Sequence, residues 1–100
     1  MLALGKANGL TSAETASLFD WFNPAASLSA RMNRILNAQF DDPSWELKMA
    51  RKDARLMMEE AALAGIPLTV IPSVASEMDK SIANGLGKKD WTVIVKDLLS

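Results

Sequence analysis

The sequence predicts an all-α domain, a compact bundle of about six helices. Three observations carry that expectation. Apolar residues return at helical spacing, as in Leu28, Met32, Ile35 and Leu36 at i, i+4, i+7 and i+8. Glycine, proline or a capping residue punctuates each such run. No pair of alternating segments flanks a tight turn, so nothing announces a hairpin.

The elements follow in chain order. Residues 1–8 read as a helix stopped by Gly9, a residue at ease in the left-handed conformation that ends helices. The pattern begins without an N-cap, which leads us to expect a helix continued from upstream. Thr11 with Glu14 three residues on is a capping box, and its helix is expected to reach about Phe22. Asn23-Pro24 stops that helix and starts another, running to about Asn37 with Pro24 in its first turn. Asp41-Asp42-Pro43 is a loop.

The longest helix is expected over residues 45–64, ended by Gly65. Pro67 and Pro72 delay the next one, whose apolar face is Val74, Ala75, Met78 and Ile82 and whose stop is Gly85. Gly87 to Asp90 form a turn, with Asp90 suited to cap the last element, residues 91–99. Thr92-Val93-Ile94-Val95 is β-branched and compatible with a strand. With no partner strand elsewhere, a helix is the better reading.

Composition narrows the function. One hundred residues make one domain, with 49% apolar and 23% charged residues, an ordinary globular mixture. Eleven Lys and Arg face twelve Asp and Glu, and no long basic block exists, so we expect no nucleic-acid partner. A helix-turn-helix reading of residues 11–37 is weak, since the second helix offers only Arg31 and Arg34 as cations. The chain has no Cys and no His. That removes disulfides, thiolate chemistry, His-based metal sites and the commonest general base. No run approaches the roughly 20 apolar residues that span a bilayer, and residues 1–9 lack the features of a secretory signal. A cytoplasmic protein without membrane contact is the expectation.

The helix over residues 45–64 is the most informative element. On a wheel of 100° per residue, one broad apolar arc holds Leu47, Ala50, Ala54, Met57, Met58, Ala61 and Ala64. A second, narrower stripe holds Trp45, Met49, Leu56 and Leu63. A helix apolar on two sides should be central, with neighbours on both. Asp53 lies between the stripes, so it should be partly buried and in need of a partner, most simply a hydrogen bond to a neighbouring helix. Lys48, Arg51, Lys52 and Arg55 form a cationic arc, and Lys52 borders the narrow stripe. The arc reads either as a solvated face or as a receiver for a phosphate or carboxylate. Lys6, beside the Gly9 stop, reads as a cation complementing a helix C-terminus.

Trp45-x-Leu47-x-Met49-x-x-Lys52-Asp53 resembles a stretch of the β-hydroxyacid dehydrogenases, the family of 3-hydroxyisobutyrate dehydrogenase and tartronate semialdehyde reductase. There, too, an aromatic residue precedes a Lys-Asp pair by seven positions on the central helix of the C-terminal domain. Ala7-Asn8-Gly9-Leu10 is similar to the end of the family's interdomain helix. Ala64-Gly65-Ile66-Pro67-Leu68 and Asn84-Gly85-Leu86-Gly87-Lys88-Lys89-Asp90-Trp91 are similar to segments further along. The likeness covers nearly the whole chain in order.

The resemblance implies the fold of the C-terminal domain of 6-phosphogluconate dehydrogenase-like proteins. It further implies one part of an NAD- or NADP-dependent oxidoreductase acting on a small β-hydroxy acid, and a homo-oligomer. The Gly-rich dinucleotide fingerprint and the family's catalytic lysine have no counterpart in these residues, so no catalytic residue is assigned to this chain, and alone it should be inactive. Lys52 carries over as a cofactor-binding residue and Asp53 as a group supporting it from behind. The competing reading is a freestanding helical interaction module without catalytic activity.

Overall fold

The computed structural model describes residues 1–99. Six α-helices form: α1 (Leu2–Ala7), α2 (Ser12–Ala16), α3 (Leu28–Leu36), α4 (Leu47–Leu63), α5 (Val70–Ala83) and α6 (Lys96–Leu99). Three 3₁₀ turns, Ser17–Asp20, Pro24–Ser27 and Trp91–Val95, join or extend them. Among the described residues there is no strand, only an isolated bridge between Glu46 and Asp90. The β-branched run at the C-terminal end is helical, as expected.

Local chemistry accounts for the boundaries. The Thr11 hydroxyl accepts from the Glu14 N–H at 3.1 Å, and the Thr11 N–H donates to the Glu14 carboxylate at 2.8 Å, completing the capping box. That hydrogen bonding holds the Glu14 carboxyl below the usual carboxylate range, chiefly through the Thr11 backbone. The α-helical part is shorter than expected: it ends at Ala16, and the chain tightens into the first 3₁₀ turn before Asn23-Pro24. The Asn23 side chain caps the next turn by accepting from the Ala25 N–H at 3.0 Å.

Helices α1, α3, α4 and α5 end in the same closure, in which a left-handed residue follows the C-cap and two amides bond back into the last turn. Glycine fills that position three times, at Gly9, Gly65 and Gly85, while the fourth is Ala38 with φ +51°.

The core is small and sits where α4 crosses α5. Leu47, Ala50, Met78, Val93 and Phe40 are buried together, with Val74, Ile82 and Ile94 packed against them. Fully burying a side chain such as Leu47 or Met78 contributes about 1.5–3 kcal/mol. Ala54 and Ala61 on α4 and Ala75 on α5 are also buried, which keeps helices close. On its other flanks α4 meets α1 and the turn at Trp91–Val95.

Helix α4 has no side-chain cap. Its first amides are satisfied from the far end of the chain: Leu47 N–H donates to the Lys89 carbonyl and Lys48 N–H to the Gly87 carbonyl, both at 2.9 Å. Trp91 N–H returns a bond to the Trp45 carbonyl at 2.8 Å. Asp90 fastens this junction. Its side chain is fully buried and accepts from the Ser44 N–H at 2.9 Å, from the Ser44 hydroxyl, and from the Thr92 N–H and hydroxyl. Burial alone would raise the Asp90 pKa. The hydrogen bonds from Thr92 and Ser44 outweigh it and hold the carboxyl below its ordinary value.

The molecule is flat, 41 × 30 × 19 Å, with a radius of gyration of 15.3 Å. A rounder domain of this length comes to about 13 Å. The segment over residues 17–36 explains much of this. Leu28 and Met32, on the apolar face read for α3, are exposed, and so are Leu18, Phe19, Trp21 and Phe22 before it. Short 3₁₀ turns and a nine-residue α3 present too little continuous face to close over the α4–α5 core.

Candidate functional site

The candidate site is the outer face of α4. The broad arc divides between core and surface: Leu47, Ala50, Ala54 and Ala61 are buried, Met58 is half-buried, and Met57 and Ala64 lie outside. The narrow stripe does not find the second neighbour expected of it. Trp45, Met49, Leu56 and Leu63 are 39%, 40%, 43% and 85% exposed; Trp91 packs against Trp45 at one end of the stripe, and Leu63 at the other is largely open.

The cationic arc resolves into pairs. Lys48 reaches Glu46 at 3.3 Å, Arg51 reaches Asp79 on α5 at 2.7 Å, and Arg55 reaches Glu59 at 2.8 Å. Lys52 makes no ion pair and no side-chain hydrogen bond among the described residues, and its ammonium stands exposed between Met49 and Leu56. Each exposed pair contributes little to stability, about 0–1 kcal/mol. Their effect here is on availability: three of the four cations are engaged and one is free.

Asp53 is half-buried, in keeping with its place between the stripes. The expected hydrogen bond to a neighbouring helix is not made; among the described residues its carboxylate has no partner. Two residues before it, Arg51 makes the link to Asp79 that ties α4 to α5. Lys6 is exposed in the last turn of α1, where its charge suits the helix end.

At the N-terminal end of the stripe stands an aromatic cluster that the sequence did not reveal. Trp45 and Trp91 meet edge to face, with centroids 6.0 Å apart and planes at 66°. The Arg31 guanidinium lies 5.1 Å from the Trp91 ring. The Trp91 indole N–H is buried without an acceptor among the described residues. Trp45 and Trp91 each sat in a segment of interest, but only the Trp45–Trp91 backbone bond makes them one cluster.

Lys52 lines none of the four most pronounced grooves among the described residues. An apolar one, of about 550 Å³, lies between the C-terminal end of α4 and the start of α5, over Met58, Ala61 and Ile66. Others surround Ala38 on the far side of α3. No cluster of acidic side chains able to hold a metal ion occurs among the described residues. None of their helices is long and apolar enough to cross a membrane. No protein-family model and no curated protein matches the sequence.

Proposed function

We propose that this chain is the C-terminal helical domain of an NAD- or NADP-dependent β-hydroxyacid dehydrogenase, converting 3-hydroxyisobutyrate or a similar acid to its semialdehyde. In this reading α4 forms one wall of a cleft whose other wall is a nucleotide-binding domain. The observation that carries it is the exposed Lys52, unpaired among the described residues and bordering a partly exposed apolar stripe on the longest helix. A partner covering that stripe would also exclude water around the ammonium beside it, which strengthens its interactions.

Lys52 fits a single contact to an anionic or carbonyl oxygen of cofactor or substrate. The described residues offer no cradle of backbone amides for a dinucleotide, so the cofactor's main grip would lie on the other wall. When bound, that cofactor supplies the hydride chemistry. Lys52 would orient one end of it, and Met49, Leu56 and Trp45 would exclude water. The surface area supports a covering partner. The chain exposes 7033 Å², roughly 1,500 Å² more than a monomer of 10.8 kDa ordinarily does. A standard interface takes about 800 Å² from each side. A homo-oligomeric enzyme, with the nucleotide-binding domain on α4 and a second copy elsewhere, would use that excess.

Complementation tests the proposal. The chain is co-expressed with the nucleotide-binding half of a β-hydroxyacid dehydrogenase, and complex formation and oxidation of 3-hydroxyisobutyrate are followed. We expect a complex disrupted by Leu56→Asp, and an oxidation rate that Lys52→Ala lowers about tenfold, equivalent to about 1.4 kcal/mol. The chain alone should not bind NADH or NADPH at micromolar concentration. Turnover indifferent to Lys52→Ala, or tight cofactor binding by the isolated chain, would overturn the proposal.

A second reading draws on the exposed segment over residues 17–36. Its aromatic, apolar surface is what a freestanding interaction module presents. The two readings separate by mutation: an interaction lost in Phe19→Ser and Phe22→Ser but kept in Leu56→Asp favours the module.

A further inference from the structure

Three grooves meet at Ala38, and none is lined by α4. Two of them, about 460 and 250 Å³, adjoin across Ala38, Phe40 and Lys96. Together they fall within the size range of small-molecule sites. Their floor is apolar, made by Ile35 and Phe40 in one and by Phe40, Leu86 and Val93 in the other. Lys96 lines both grooves, and Lys89 only the smaller one. Lys89 is neutralised by Asp41, whose carboxyl it holds below the usual range. Lys96 makes no ion pair among the described residues, although its charge also reaches Asp41. Among the described lining residues the two grooves therefore carry two cations against the single carboxylate of Asp41, over an apolar trough.

The backbone at Ala38 is a second, independent observation. Three of the four matching helix ends in this chain place glycine in the left-handed position, and only this one places a side chain there. A left-handed alanine costs roughly 1 kcal/mol. Its methyl forms the wall common to all three grooves. Arg34 holds the strained turn in place, donating to the Gln39 carbonyl at 3.1 Å and to the Asp42 carbonyl. Strain retained at one point, with a clamp to keep it, marks a surface whose shape matters.

We infer that this trough binds an aliphatic monocarboxylate of medium chain length, its chain over Phe40 and its carboxylate on Lys96. A single ammonium suits a monoanion. The one aromatic lining it, Phe40, is only 8% exposed, and Lys96 and Lys89 are the only cations among its described lining residues, too few to fan around a phosphate ester. The site stands apart from Lys52 and does not depend on the dehydrogenase reading.

Calorimetric titration of the chain with decanoate, below its micelle concentration, tests this. One saturable site is expected. Lys96→Gln should weaken it roughly fivefold, the effect of one partly exposed ion pair. Leu36→Glu, at a lip residue that is 72% exposed and so free to change without unfolding the chain, should weaken it further by repelling the carboxylate. Lys88→Gln, away from the trough, should leave it unchanged, and decanol should bind more weakly than decanoate. No saturable heat from chain shown by circular dichroism to be folded would overturn the inference. So would equal effects of Lys96→Gln and Lys88→Gln, or decanol binding as tightly as decanoate.

Discussion

Ala38 and Asp90 show how much a single side chain can decide here. Replacing Ala38 by glycine removes the left-handed strain and should stabilise the chain by about 0.5–1 kcal/mol, read from urea denaturation. The same change should weaken decanoate binding, because the methyl wall is lost. Asp90 acts in the opposite sense. Asp90→Ala leaves the Ser44 and Thr92 amides without their acceptor and should cost roughly 3 kcal/mol. The pH dependence follows from the lowered Asp90 pKa. A carboxyl depressed in the folded state contributes stability that is fully present above the ordinary value of 3.8 and fades as pH falls through the folded pKa. Stability should therefore decline below about pH 4, and the decline should be shallower in Asp90→Asn.

At the scale of elements, Gly5 sets how closely α1 approaches α2. A Cβ there would stand 2.1 Å from the Thr15 hydroxyl and 3.0–3.1 Å from the other Thr15 side-chain carbons. The Thr15 Cβ itself is 3.1 Å away, so the two helices are close whatever its side chain does. Gly5→Ala should destabilise the chain, although alanine is the better helix former by about 1 kcal/mol. Adding Thr15→Ala should recover part of the loss in thermal melts. This crossing was not legible in the sequence, since a lone glycine inside a helix does not say what it meets. The helix stops at Gly9, Gly65 and Gly85, the Thr11 cap and the Asp90 cap were legible, because each rests on chemistry within a few residues. The two-faced character of α4 was legible as well. The identity of its neighbours was not: Trp91 packs on Trp45 at one end of the narrow stripe, and Leu63 at the other proved largely exposed. The helix over residues 24–37 shows the same limit. Its periodicity gave a face, but not whether anything packs on that face. Of the site, Lys52 was singled out by the resemblance of Trp45-x-Leu47-x-Met49-x-x-Lys52-Asp53 to the dehydrogenase stretch and by its place on the arc; that it alone of the four cations lacks a carboxylate among the described residues depended on where Glu46, Glu59 and Asp79 fall.

For the whole molecule, surface dominates. Trp21 rests on little, being 91% exposed, while Phe19 and Phe22 keep about half their surface covered, so changing all three to serine should lower the unfolding free energy by only about 2 kcal/mol. Dye binding to apolar surface and concentration-dependent association should fall sharply in the same variant, measured by fluorescence and light scattering. A chain whose stability survived but whose association persisted would place its sticky surface on α4 instead. The junction at Asp90 has a kinetic corollary. The opening amides of the longest helix are protected only once a strip some forty positions downstream has docked on them. Late-arriving contacts of that kind slow folding and bind distant stretches into one cooperative unit. Deuterium should accordingly enter Leu47 and Lys48 in step with Asp90 and Trp91, and a protease nick between Leu86 and Asp90 should loosen the helix at its opposite end.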